Sequence, residues 1–162
     1  MSKSSSRALG ADLKVSGALS LLDIAFTENS QVDVNQLNAL YRSIGWDSHG
    51  RRTEAETTAM LSVSRYHIAA HTGEGCLVGF ARVSGDPYVV QVLDVITHPE
   101  YRRRGIATRC MLGVLAHIQR SRYVSVTLTD GSGVEGFYQR FGFRVVKDVA
   151  LMAADLPVPG RA

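Results

Sequence analysis

The amino-acid sequence predicts a mixed α/β fold built around a mostly antiparallel central sheet. Three apolar runs between residues 66 and 97, the last of them rich in β-branched residues, are joined by short turns that contain Gly, which is typical of an antiparallel meander. A long amphipathic stretch then separates the third run from an alternating run at 124–129, and this βαβ crossover indicates parallel pairing. The complete predicted order is β-α-α-β-β-β-α-β-α-β-β.

Two helices are predicted to follow a first strand at residues 21–26. Asp33 stands where an N-cap belongs, apolar residues recur behind it at helical spacing, and Gly45 ends the pattern. Thr53 and Glu56 have the spacing of a capping box, which predicts the start of a second and shorter helix.

The remaining elements follow from apolar spacing and turn residues. The helix after the meander is predicted to begin at about Arg103 or Arg104, because its apolar face repeats every four residues from Ile106 to Ile118. The meander strands are predicted at 66–70, 76–83 and 88–97. The last elements are predicted as a helix over 132–141 and closing strands at 143–146 and 149–153.

Composition and charge exclude several classes of function. The 162 residues carry a net charge of only +3, and much of the excess is local, so a nucleic-acid surface is not expected. Cys76 and Cys110 lie far apart without a CxxC motif, so neither a metal site nor a disulfide framework is expected. No apolar run approaches the roughly 20 residues of a membrane-spanning helix. We therefore expect a cytoplasmic protein that contacts no membrane.

Residues 20–155 are expected to form one domain with a tail on either side. Residues 1–19 are rich in Ser and low in apolar content, which predicts a flexible tail, although their low acid content also resembles an organellar transit peptide. Residues 156–162 contain two prolines and predict a C-terminal tail.

An electrostatic misfit lies between the third meander strand and its helix. Three consecutive arginines, Arg102 to Arg104, crowd the helix start, where the macrodipole favours anions and each cation costs about 0.3–1 kcal/mol. Gly105 and Ala107 leave the first backbone amides sterically open. A bound anion would relieve the misfit, so the sequence predicts a phosphate site at this turn.

The residues around this turn resemble the GNAT N-acetyltransferase superfamily. The resemblance consists of a strand, the segment HPEYRRRGIA at 98–107, a helix, a further strand and the block FYQRFGF at 137–143. The stretch LYRSIGW at 40–46 is similar to small bacterial and plastid members of the superfamily. Arg102, Gly105 and Ala107 match the family's R/Q-x-x-G-x-G/A turn, which binds the pyrophosphate of acetyl-coenzyme A (acetyl-CoA).

The resemblance implies a GNAT fold in which a parallel pair, the fourth and fifth strands, splays apart at the cofactor site. It also implies acetyl-CoA as cosubstrate and no metal. The pantetheine arm would pair with the strand before the turn, where a backbone N–H near Val95 or Ile96 would polarise the thioester carbonyl. The implied cofactor-binding residues are Val95, Ile96, Thr97, Arg102, Arg103, Arg104, Gly105, Ile106, Ala107, Thr108 and Tyr138.

Two residues are candidates for proton transfer. Tyr138 matches the family's tyrosine that protonates or hydrogen-bonds the leaving thiolate, although a core position on an apolar helix face would also explain it. Asp94 is the candidate base, because it is an acid in an apolar strand beside the turn, where burial would raise its pKa. A structural role is the alternative for Asp94. Glu28, Asp86 or a water relay could take the proton instead, and His98 is expected mainly to shape the turn.

The acceptor is predicted to be a primary amine of a small molecule, with an arylalkylamine as one option. Tyr41 and Trp46 could line its pocket, although helix packing explains Tyr41 at least as well. A protein lysine or N-terminal amine is an alternative, as is a domain that binds acyl-CoA without turnover. Cys110 is expected in the core, and the pair Arg51-Arg52 in a solvated loop. GNAT proteins are often dimers, so a homodimer stays open.

Overall fold

The computed structural model describes residues 23–152, and a five-stranded sheet organises residues 23–127. Both predicted tails and the start of the predicted first strand lie outside the described residues. The elements in chain order are β1 (Ile24–Glu28), α1 (Val34–Ser43), α2 (Glu54–Ser62), β2 (Tyr66–Thr72), β3 (Leu77–Gly85), β4 (Val89–Thr97), α3 (Ile106–Arg120) and β5 (Ser125–Thr127).

The strands lie in the order β1-β2-β3-β4-β5. The first four are antiparallel neighbours and β5 pairs with β4 in parallel, which confirms the predicted meander and crossover. The parallel pairing involves only Val89 to Gln91 of β4, whereas β4 continues to Thr97. From Val92 onward, no strand in the described part of the chain pairs with this edge of β4.

The helices α1 and α2 lie on one face of the sheet, where a buried apolar cluster joins them to the strands. Met60 and Leu61 of α2 pack against this cluster. Asp33 and Thr53 cap the first backbone amides of the two helices, as predicted. The buried members of the cluster are Val32, Leu37, Leu40, Tyr41, Ala69, Leu77, Phe80 and Ile96.

The third helix lies on the opposite face and approaches the sheet closely at two glycines. A Cβ on Gly113 of α3 would lie 2.7 Å from Ile68 of β2, and a Cβ on Gly79 of β3 would lie 2.4 Å from Ile106 at the helix start. Any larger residue would push the helix away, so Gly79 helps to set where α3 begins relative to β3. Within residues 23–152, no helix has the length and apolar character needed to cross a membrane.

The helix α3 begins at Ile106, later than the sequence predicts. The backbone at Arg103 and Gly105 has φ values of +63° and +79°, in the left-handed region that a right-handed helix excludes. The predicted apolar face is confirmed, because Ile106, Cys110 and Val114 are buried.

Residues 128–152 form a second compact part of the described chain, and the regular elements predicted for it are wrong. The predicted helix over 132–141 is replaced by turns and one 3-10 turn, Gln139–Phe141. The predicted closing strands at 143–146 and 149–152 are irregular, and residue 153 lies outside the described residues. The observed order of helices and strands therefore ends at β5.

Glycine backbone conformations explain why the last predicted helix does not form. Gly133 and Gly136 have φ values of +66° and +71°, so a right-handed helix cannot run through them. The Ser132 hydroxyl accepts a hydrogen bond from the Val134 amide at 3.1 Å, only two residues on, and closes a local turn. The sequence pattern resembled a capping box, but the hydroxyl is used in a competing local bond.

Candidate active site

A short turn connects the end of β4 to α3, and His98 shapes it as predicted. His98 Nδ1 accepts a hydrogen bond from the Glu100 amide at 3.4 Å, which caps the 3-10 turn Pro99–Tyr101. The Arg104 guanidinium donates to the Glu100 carbonyl at 3.2 Å and lies 5.1 Å from the centre of the Tyr101 ring. These contacts hold the turn in place before the helix begins.

The start of α3 carries no side-chain cap and no acidic residue in its first turn. Its N-cap is Gly105, and the first hydrogen bond within the helix runs from the Arg109 amide to the Gly105 carbonyl at 2.9 Å. The amides of Ile106 and Ala107 precede that bond, so the helix offers them no carbonyl. Alternating left-handed residues at a helix start form a concave group of amides that fits an anion.

Further groups beside this helix start suit a phosphorylated ligand. Arg102 and Arg103 are exposed and Arg104 is half-buried. The Thr97 hydroxyl at the end of β4 is buried and has no hydrogen-bond partner in the described structure. A buried hydroxyl without a partner costs free energy unless a ligand or water satisfies it. The turn therefore fits the diphosphate expected from the sequence.

A bulge interrupts β4 just before this turn. The register between β3 and β4 shifts so that Ala81 faces both Asp94 and Val95. Asp94 has a φ of +55°, which is uncommon for a residue with a side chain. Such strained residues tend to occur at functional sites, held in place by their surroundings.

Asp94 is paired with a cation, which sequence reasoning did not anticipate. Its carboxylate accepts a charge-assisted hydrogen bond from Nε of Arg82 on the neighbouring strand β3. Both side chains are largely buried, with 12% and 13% of their surfaces exposed. Asp94 is thus one half of a shielded ion pair rather than an isolated acid in an apolar strand.

Tyr41 extends this pair toward α1. Its side chain is fully buried, and its hydroxyl lies 3.8 Å from the Met60 sulfur and near enough to Asp94 to be influenced by the charge of that carboxylate. Burial above all, and then the negative charge of Asp94, raise the pKa of Tyr41 well above its ordinary range. Tyr41 therefore belongs to the core, whereas Trp46, the other predicted pocket residue, is 56% exposed with its ring centre 6.4 Å from that of Tyr41.

Arg52 is a second cation at this place, and the prediction of a solvated Arg51-Arg52 pair is wrong for it. Arg51 is exposed, but Arg52 is half-buried with its guanidinium carbon 3.5 Å from the centre of the Tyr41 ring. The buried Asp47 carboxylate accepts from the backbone amides of Arg51 and Arg52, at 2.8 and 3.4 Å, and fixes the loop that carries them.

Tyr138 lies in the second part, residues 128–152, where it is 8% exposed. It is the N-cap residue of the 3-10 turn, and its ring contacts those of Phe137 and Phe143 edge to face. Burial, and then the nearby Asp130, raise the pKa of Tyr138 above its usual value of about 10. The phenol therefore keeps its proton throughout the neutral range.

Other candidate groups have structural contacts. The Asp86 carboxylate accepts from the amides of Tyr88 and Val89, both at 2.7 Å, and these bonds lower its pKa. Glu28 lies 4.0 Å from Arg120, at the far end of α3 from the turn. Cys110 is buried in the core as predicted, and burial raises its pKa to about 12, which leaves it a neutral thiol.

The structure brings together two groups of residues along β4. Asp94 in the bulge is paired with Arg82 and lies near Tyr41, whose ring contacts Arg52. The strand then leads directly to the turn at 98–105. Sequence reasoning found the turn but missed Arg82 and Arg52. Arg82 could have been found from the sequence, because it is a basic residue in the otherwise apolar β3 and the neighbouring strand β4 contains an acid, Asp94.

A profile of the Acetyltransferase (GNAT) family matches residues 32–143, so the chain belongs to this family. A GNAT-family acetyltransferase from Streptococcus pneumoniae TIGR4 has a similar structure, with a TM-score of 0.66 and 28% identity. The match covers 81% of this chain and 96% of that one. The mixed α/β sheet with its parallel β4–β5 pair is thus a GNAT fold.

Two curated relatives are similar to this chain in sequence. The uncharacterized N-acetyltransferase ycf52 of Pyropia yezoensis is 24% identical over 127 residues, which cover 78% of this chain and 72% of that protein. A mycothiol acetyltransferase of Saccharomonospora viridis is 36% identical over 93 residues. That match covers 54% of this chain but only 30% of the relative.

Proposed function

We propose that this protein transfers acetyl from acetyl-CoA directly to a primary amine. The observation that carries the proposal is the uncapped, arginine-flanked start of α3, directly after the bulged end of β4. This end of β4 pairs with β3 on one side, and no strand of residues 23–152 pairs with its other edge. A carrier with a diphosphate and an extended arm suits both places. The diphosphate supplies the anion that the start of α3 favours, and the arm can pair with the open edge of β4.

The turn would hold the pyrophosphate. The amides of Ile106, Ala107 and Thr108, with the Thr108 hydroxyl, would donate to its oxygens, and Arg102, Arg103 and Arg104 would balance its charge. Gly105 would let the phosphates approach the backbone. These contacts would fix the position of the acetyl group, which is the main requirement for a transfer between two bound substrates.

The strand edge would hold the pantetheine arm and polarise the thioester. Val95, Ile96 and Thr97 lie beyond the last residue of β4 that pairs with β5, so their edge is available to amide groups of the arm. A backbone N–H released by the bulge at Val95 or Ile96 would donate to the thioester oxygen as negative charge develops there. The amine nitrogen attacks the carbonyl carbon, and the carbon–sulfur bond then breaks.

Two proton transfers complete the reaction. Tyr138 would donate a proton or a hydrogen bond to the departing thiolate, and its raised pKa keeps it protonated for this role. Asp94 is the proposed acceptor of the proton from the amine, with Arg82 holding the carboxylate in position. Glu28, Asp86 and a relayed water are the alternatives to Asp94.

We propose a small-molecule amine as the acceptor, in the cytoplasm. The similarity to a mycothiol acetyltransferase supports this choice. Trp46, exposed beside Tyr41, offers an aromatic surface to an apolar acceptor such as an arylalkylamine. Protein lysines and N-terminal amines are the alternative acceptors, and the homodimer stays a prediction.

Release of free CoA thiol, measured with acetyl-CoA and panels of small amines, amino acids and lysine peptides, tests the proposal. We expect thiol release that depends on an amine, and a fall in kcat of about 100-fold in Tyr138→Phe. Because the pKa of Tyr138 is raised, its ionisation should limit the wild-type rate only above about pH 10, and Tyr138→Phe should lack that limb. Tight acetyl-CoA binding without thiol release would favour a domain that binds acyl-CoA without turnover.

A further inference from the structure

Arg52 contacts a buried ring and a thioether, but it has no acidic partner among residues 23–152. Its guanidinium lies on the face of the buried Tyr41 ring, and one of its nitrogens lies 3.8 Å from the Met60 sulfur. The loop behind it is fixed by the Asp47 carboxylate, which binds the backbone rather than the guanidinium. The arginine is therefore positioned through both its backbone and its side chain.

A half-buried guanidinium without a carboxylate is unusual because desolvating a charge is costly. Arg82, by contrast, is paired with the carboxylate of Asp94. For Arg52, no carboxylate within residues 23–152 lies at ion-pair distance. Neither the Tyr41 ring nor a thioether sulfur satisfies the planar set of donors that a guanidinium presents to a carboxylate.

The position of Arg52 relates it to the proposed reaction. The Tyr41 ring contacts the Arg52 guanidinium, and the Tyr41 hydroxyl is near enough to Asp94 for the charge of that carboxylate to raise the pKa of the tyrosine. One tyrosine side chain therefore separates the Arg52 guanidinium from the bulge of β4. If acetyl is presented at the bulge, a group bound to Arg52 would lie at the acceptor end of the site. This step rests on the proposed function.

We propose that Arg52 binds a carboxylate of the acceptor, and that the preferred acceptors are amino acids rather than simple amines. One arginine matches a carboxylate in charge and in its two-pronged geometry. Asp94, neutralised by Arg82, does not repel a carboxylate as strongly as an unpaired acid would. Trp46 lies next to Tyr41 and would contact the remainder of the acceptor.

Matched acceptors that differ only in the carboxylate test this assignment. Thiol release is measured with the 162-residue chain, acetyl-CoA and three pairs of acceptors: phenylalanine and 2-phenylethylamine, tryptophan and tryptamine, and lysine and cadaverine. The wild type should favour the carboxylated member of a pair by at least about 10-fold in kcat/KM. In Arg52→Gln this preference should disappear, through a rise of about 10- to 100-fold in KM for the amino acid.

Arg51→Gln is the matched control, because Arg51 is the exposed neighbour with the same backbone contact to Asp47. It should retain the preference of the wild type. Arg52→Lys keeps the charge but loses the planar donor pair, so it should recover part of the preference lost in Arg52→Gln. Melting temperatures of the three variants show whether each one is folded at the assay temperature.

Several outcomes would overturn the assignment. A wild type that prefers the amines without a carboxylate would contradict it, as would an Arg52→Gln variant that loses activity equally on both members of each pair, since that indicates a structural role. The kcat/KM preference for phosphoethanolamine over ethanolamine is compared with the preference for each amino acid over its amine. If the phosphoethanolamine preference is the larger, the group that Arg52 binds is a phosphate and the carboxylate assignment is wrong. Absence of thiol release with every acceptor would contradict the proposed function itself, whereas amine turnover without a carboxylate preference would contradict only the inference.

Discussion

The starts of α1, α2 and α3 differ in whether a side chain caps their first backbone amides. In α1, the Asp33 carboxylate accepts from the amides of Asn35 and Gln36 at 2.8 and 3.1 Å. In α2, the Thr53 hydroxyl accepts from the Glu56 amide at 3.2 Å. The longest helix, α3, begins at a left-handed Gly105 with no side-chain cap and with arginines beside it.

Two helices are therefore completed by their own side chains, whereas the third is left open. The C-terminal end of α3 follows the ordinary dipole rule, with His117 and Arg120 in its last turn. Only its first turn departs from that rule. Caps contribute stability of about 1 kcal/mol each, so α3 forgoes that stabilisation and its first amides have no side-chain cap. The contrast supports our proposal that this turn binds a ligand.

The largest expected effect comes from closing the open turn with a side chain. Gly105→Val should weaken acetyl-CoA binding by about 100-fold or more, because the branched side chain blocks the amides and resists the backbone φ of +79°. Calorimetric titration with acetyl-CoA measures the change.

Gly75→Val is the matched control for backbone strain. Gly75 has a similar φ of +85° in the turn between β2 and β3, with open space around the position of a Cβ. It should lose stability but keep its affinity for acetyl-CoA. Equal losses of affinity in both variants would attribute the effect to strain alone.

A smaller effect should follow from giving α3 a negative charge of the kind that caps α1. Gly105→Asp places a carboxylate where we expect the diphosphate, and Gly105→Asn places a neutral side chain of nearly the same shape there. We expect Gly105→Asp to bind acetyl-CoA about 10-fold more weakly than Gly105→Asn at low ionic strength, with the difference shrinking in salt. Equal affinities of the two variants would argue against an anionic ligand at this turn.

The smallest effect concerns the two capped helices. Asp33→Ala and Thr53→Ala should each lower the free energy of unfolding by about 1 kcal/mol, since amides that were capped become dependent on water. Urea unfolding monitored by circular dichroism measures this loss, and acetyl-CoA affinity should stay at the wild-type value. A loss of affinity without a loss of stability would mean that these helix starts also serve the ligand.

Much of the fold was predictable because its signals are local. The N-caps at Asp33 and Thr53, the meander and the apolar face of α3 depend on spacings of a few residues, and the structure confirms them. The last predicted helix shared the same kind of signal, but Gly133 and Gly136 adopt left-handed backbone and end it. A capping pattern specifies a helix only where the following backbone can be helical.

The part of the candidate site that lies in one continuous segment was predictable from the sequence. The part that is formed by residues from distant segments was not. The turn at 98–107 is one continuous segment, so its misfit of charge is visible in the sequence. The contacts of Asp94 come from β3 and α1, and the side chain of Arg52 reaches Tyr41 from the loop before α2. These distant partners change an expected isolated acid into a paired one, and an expected solvated arginine into a half-buried cation.

The central claim is that the start of α3 binds the pyrophosphate of acetyl-CoA, and one calorimetric comparison tests it most directly. Acetyl-CoA is titrated into the wild type, into Arg102→Glu and into Arg122→Glu, which makes the same charge change at an exposed residue just beyond the other end of α3. We predict that Arg102→Glu binds acetyl-CoA at least about 10-fold more weakly than the wild type, whereas Arg122→Glu binds it as the wild type does. Equal affinity of all three proteins, or no binding by the wild type, would contradict it.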